Sequence, residues 1–136
     1  MPLLLWKAGM AMDNMTLKKT VIRTFADVSS PIGSNLLLAT PFGLISGRLS
    51  TTSVPTPEEL DQISGKATVE EAASVTAALL ATAKSNYGDA PVNGNDGYLA
   101  LVDVVIKSSS GTTFNIGSMV VFYDQIIGIS LGKFDA

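Results

Sequence analysis

The 136-residue sequence predicts a single α+β domain, mainly antiparallel β, in which five short strands curl into a strongly bent small barrel. Three observations predict it. Two apolar runs flank Thr40-Pro41-Phe42-Gly43 in "NLLLATPFGLISGRLS", which reads as a hairpin. The C-terminal part is a succession of Leu-, Val- and Ile-rich runs broken by turn residues. Between them, residues 52–95 carry helix caps and helical periodicity. Barrel segments at about 32–51 and 97–133 would then enclose one core, with the helical stretch inserted at a loop. Such insertions cost little, because loop-closure entropy grows slowly with length.

The first element is an amphipathic helix over Asp13–Val28. Leu17, Val21, Phe25 and Val28 recur at near-helical spacing, and Lys18, Lys19 and Arg23 fall on other sides. Asp13 or Asn14 is placed to cap its start. The β-branched run Thr20-Val21-Ile22 pulls toward strand instead.

Next comes the hairpin, with strands Leu36–Thr40 and Leu44–Leu49. Pro41 has the φ that the first turn position needs, and Gly43 suits a left-handed position after it. In the second strand Ile45, Gly47 and Leu49 share one face, while Ser46, Arg48 and Ser50 share the other. Gly47 permits a sharp bend or a close backbone approach, as a tightly curved sheet requires.

Helical signals dominate at 56–86. Thr56-Pro57-Glu58-Glu59 is a capping box with Pro at the first helical position, and this short helix stops at Gly65. Thr68-Val69-Glu70-Glu71 repeats the box and opens a longer helix to about Ser85. Its stripe Val69, Ala72, Ala73, Thr76, Leu79, Leu80, Ala83 has helical period, and its other flank is also largely Ala. The Ala-rich helix therefore either docks another protein or packs over the open end of its own barrel. "NYGDAPVNGNDG" reads as loop.

Three strands remain. "YLALVDVVIK" is apolar enough to be buried on most of both faces. Ser108-Ser109-Ser110-Gly111 turns the chain into "TTFNIGSMVVFY", Asp124-Gln125 interrupts, and "IIGISLG" closes.

Composition narrows function. With no cysteine and no histidine, the chain lacks thiolate ligands and the commonest general base and metal ligand, which argues against an enzyme. Charged residues are only 15% and apolar ones 46%, so part of the surface is expected to be covered, most simply by further copies. Charge is also segregated. Residues 1–50 carry Lys7, Lys18, Lys19, Arg23 and Arg48 against Asp13 and Asp27, whereas the remainder is strongly acidic. A pI near 4.7 argues against non-specific nucleic-acid binding. "MPLLLWKAGMAM" has too short an apolar patch for a signal peptide or a membrane span, so the expected location is cytoplasmic.

Two segments resemble the Sm-like family of five-stranded small barrels that follow an N-terminal helix. "IGSNLLLATPFGLISGRL", Ile32 to Leu49, is similar to the family's first motif, with its strand, Gly turn and Gly-x-Leu segment. "GSMVVFYDQIIGI", Gly117 to Ile129, is similar to the second, where a strand meets a tight turn before the last strand. The resemblance implies homo-oligomeric rings, because family members pair their last two strands between subunits. It does not carry over the family's RNA site: Phe122-Tyr123 stand where Arg-Gly is expected, and "GYLALVDV" offers no Asn.

The resulting expectations are specific. Self-association should use Met119, Val121, Tyr123, Ile127, Ile129 and Leu131, since so apolar a tail makes a poor free edge. The runner-up is an RNA-binding protein with Lys18, Lys19 and Arg23 as the nucleic-acid contact. Phe114, Phe122 and Tyr123 are read as packing residues over a base-stacking platform. Asp89, Asn93, Asn95 and Asp96 lack the register of a calcium loop and read as turn residues. Glu58, Glu59, Glu70 and Glu71 fit helix first turns, not paired catalytic carboxylates. No catalytic residue, cofactor or metal is expected; a deep pocket lined by Asp103, Asp124 or Tyr123 would revive a small-molecule reading.

Overall fold

The computed structural model describes residues 16–51, 54–61, 69–89, 94 and 96–134. Among them, no helix is long and apolar enough to cross a membrane.

Helix α1 spans Leu17–Ser29. Its cap is Thr16, three residues later than Asp13, and the Thr16 hydroxyl accepts the Lys19 N–H at 3.1 Å. The face that packs is also different from the expected stripe. Ile22, Ala26 and Ser29 are buried and Phe25 packs beside them, while Leu17, Val21 and Val28 are exposed. Apolar residues occupy two adjoining faces of this helix, and the one with the small residues Ala26 and Ser29 lies against the core, because small side chains permit closer approach. Lys19 is buried too, its ammonium 5.9 Å from the centre of the Tyr123 ring.

Strands β1 (Leu36–Thr40) and β2 (Gly43–Leu49) form the hairpin where expected. The Thr40 hydroxyl closes the turn by donating to the Gly43 carbonyl at 2.9 Å and accepting the Phe42 N–H at 3.3 Å. Gly43 opens β2 with φ of 145°, and a Cβ there would lie 2.2 Å from the Lys107 carbonyl oxygen.

The insertion begins with the short helix α2 (Pro57–Asp61). Its capping box is reciprocal: Thr56 N–H donates to Glu59 at 2.9 Å, and Glu59 N–H donates to the Thr56 hydroxyl at 3.2 Å. The expected stop at Gly65 and the second cap at Thr68 lie outside the described residues. Helix α3 spans Val69–Tyr87. It lies on β3 (Tyr98–Ser108) and β4 (Thr113–Phe122), with Ala73 buried and the Ser118 hydroxyl donating to Thr76 at 3.0 Å.

A 3₁₀ turn at Tyr123–Gln125 leads from β4 to β5 (Gly128–Leu131). The strand order is β4-β3-β2-β1-β5, and every pairing is antiparallel. Strands β2 and β3 are thus neighbours, although residues 50–97 separate them in sequence, so the insertion interrupts the chain but not the pairing.

The expected barrel is not closed within one chain. β4 and β5 are the two edges of an open five-stranded sheet. One core nonetheless joins them: Leu36, Leu38, Ile45, Leu99, Leu101, Val104, Val121, Tyr123 and Ile126 form a single cluster with Ile22 of α1. A β-bulge lies between the middle strands β2 and β3, and such an insertion bends the strand that carries it. The β2–β3 register slips by one between Ser46 and Arg48, so Asp103 and Val104 together oppose Gly47. Asp103 adopts φ of 52°, and Gly117 stands opposite it on β4. Because of this extra residue Leu99 and Leu101 face the core before the bend and Val104 after it. At Gly47 a Cβ would lie 3.2 Å from both the Leu101 Cβ and Val104 Cγ2, which explains why the bend carries glycine.

Candidate functional site: the open edges of the sheet

An edge strand offers backbone groups that its own sheet does not use. On β5 the Gly132 N–H donates to the Asn35 carbonyl at 2.7 Å, in register with the β1–β5 ladder. Bonded and non-bonded pairs alternate along an antiparallel ladder, so Ser130 and Gly128 also turn toward β1. The N–H and C=O of Ile129 and Leu131 therefore point away from the sheet. On β4 the Ser108 N–H donates to the Thr112 carbonyl at 2.8 Å, and the same alternation turns the backbone of Thr113 and Asn115 outward.

Apolar side chains accompany both rows. Residues Thr113 to Ile116 are exposed throughout, including Phe114 at 52%. At the other edge Ile127 is 69% exposed, and it lines a groove with Leu17 and Val21 of α1 and with Ile129. What such an arrangement can do chemically is bind another strand, backbone to backbone, with apolar side chains on either side.

The predicted interface side chains divide. Ile127 and Leu131 are exposed. Val121 and Tyr123 are only 4% and 3% exposed, and Met119 and Ile129 are partly buried against the same core, Ile129 also lining the α1–β5 groove. Phe114, read as core or interface packing, and Ile116, not singled out in the sequence, are the exposed apolar residues of the β4 edge. Their signal was the lone Asp103 inside an apolar strand, which marks where the alternation shifts phase on β3 and, opposite it, on β4.

Lys18, Lys19 and Arg23 do not form one solvated face. Lys19 is turned inward onto Tyr123, Lys18 borders the α1–β5 groove, and Arg23 is exposed. The Tyr123 phenol is pushed above the ordinary 10.0 by burial, with the nearby Arg23 charge opposing that rise. Nor do the three aromatic candidates share a platform: Tyr123 is in the core, Phe114 lies beyond the bend, and Phe122 meets Tyr98 edge to face.

Of the three residues named for a deep pocket, Asp103 lines an open depression of about 260 Å³ with Val104, Val105, Asn115, Ile116 and Gly117. Asp103 is paired with Arg48 on the surface of the bend, whereas Tyr123 is buried and Asp124 exposed at the far end of β4. Asp89 and Asp96 are exposed, while Asn93 and Asn95 lie outside the described residues. Among the described residues no group of three or more Asp or Glu side chains is placed to hold a metal ion. Glu58 and Glu59 occupy the first turn of α2, as expected. Comparison of the chain with protein-family models, with curated proteins and with solved structures finds no match in any of the three.

Proposed function

We propose that this chain is a non-enzymatic, self-assembling module, in which the β4 edge of one copy pairs with the β5 edge of the next and so completes an Sm-like curled sheet. The observation that carries the reading is the pairing order: the last two strands of the chain are the two open edges of its sheet. The resemblance of Ile32–Leu49 and Gly117–Ile129 to the Sm-like motifs supports it, because that family joins its subunits through its last two strands. Composition supports it too, since a chain with 15% charged residues gains by covering its apolar edges. β5 is four residues long, the length of the exposed stretch Thr113–Ile116 on β4.

Light scattering and sedimentation velocity on the full chain test this. The expected result is a species several times the 14.2 kDa monomer at micromolar concentration. Asn115→Pro and Ile129→Pro each remove an outward N–H while sparing the bonds to β3 and β1, and each should yield monomers with an unchanged circular dichroism spectrum. A monomeric parent chain, or proline variants that fold and still assemble, would overturn the proposal.

A further inference from the structure

A second surface lies apart from the paired-edge reading and does not depend on it. Where the last turn of α3 meets the start of β3 and the end of β4, a cleft of about 600 Å³ opens. Tyr87, Tyr98 and Phe122 line it, with Leu80 and Ala83 from α3 and Asp96 at its border. The Tyr98 and Phe122 rings stand at 80° with centroids 6.4 Å apart, which makes two walls of a corner. Phe122 is 58% exposed and Tyr87 54%, unusual for large rings that serve only packing.

We infer that this cleft binds a quaternary or polymethylated ammonium group. Aromatic faces carry negative quadrupole potential and attract a cation placed against them. The carbonyl end of α3, which is 19 residues long, adds the negative pole of its dipole, and Asp96 adds a carboxylate. Leu80 and Ala83 select against strongly hydrated ions such as sodium or a primary ammonium and favour one sheathed in methyl groups. Lys84 also borders the cleft and opposes a cation, so its removal should strengthen binding. Free choline and a trimethylated lysine side chain present the same chemistry and are two sources of it.

Isothermal titration of the full chain with choline, with a trimethyllysine peptide and with 3,3-dimethylbutanol separates the alternatives. At least one of the two cations should bind saturably, and whichever binds more tightly names the source. The neutral alcohol has the shape of choline without its charge and should bind about tenfold more weakly. Phe122→Leu and Tyr98→Leu should each weaken the cation about tenfold, with folding checked by NMR. Lys84→Gln should tighten it severalfold. Absence of saturation with both cations at about 20 mM, equal binding of the neutral isostere, or weaker binding in Lys84→Gln would each overturn the assignment, the concentration limit being set by the ~4 kcal/mol of millimolar binding.

Discussion

At Tyr123 the neutral phenol is built into the core. Its ring packs against Gly97, where a Cβ would fall 2.6 Å from the Tyr123 Cε2, and its backbone N–H donates to the Gly97 carbonyl at 3.0 Å. Burial is the largest cause of its raised pKa, so the folded state binds the phenolic proton more tightly than the unfolded chain does. The sign follows: this contribution is fully present below pH 10 and is lost as pH rises toward the folded-state value. Urea midpoints measured from pH 8 to pH 11 should therefore fall at the alkaline end. Tyr123→Phe should show a shallower decline at the alkaline end, because the group whose proton the fold holds is gone. An unchanged alkaline slope in the variant would refute this account.

Elements are arranged by the bend. Gly47 on β2 and Asp103 on β3 meet there, and the two positions ask for opposite properties. Space is what Gly47 supplies, so Gly47→Val should cost about 1–3 kcal/mol by overpacking against Leu101 and Val104. At Asp103 the demand is conformational. Asp103→Gly should change stability by less than about 1 kcal/mol, because the positive φ suits glycine and the exposed pair with Arg48 contributes little. Asp103→Val should cost about 1–2 kcal/mol, since a β-branched residue resists that φ. Thermal melts of the three variants decide the matter, and a neutral Gly47→Val would refute the crowded bend. The hairpin, both long strands and the Asp124-Gln125 interruption were legible in the sequence because turn chemistry and β-branched runs are local signals. Helix α1 was legible as a helix but not in its orientation: periodicity alone cannot choose between the Leu17/Val21 face and the Ile22/Ala26 face. That choice is made by tertiary packing. Likewise, a single inserted residue at the bend shifts the phase of β3 and of the paired β4, and nothing local on β4 announces it.

Over the whole molecule, pairing between β2 and β3 is independent of what lies between them. Ser50 N–H still donates to the Ala100 carbonyl at 2.8 Å beyond the last paired residue of β2, so the ladder runs up to the exit of the insertion. Replacing residues 52–95 with a short Gly/Ser linker should preserve a cooperative β-sheet melt, at a lower midpoint because the face under Ala73 is uncovered. Loss of cooperative folding would show that α3 is part of the core rather than a cover.

The two rims of the sheet differ in sequence and in length, ten residues against four, so they are not interchangeable. Two molecules joined at a single β4–β5 seam still have one rim of each kind uncovered. Growth by this route ends only when successive rotations return to the start; a rotation that misses closure yields a fibre. The angle set at Gly47 and Asp103 is thus a quantity on which finite or endless polymerisation would turn.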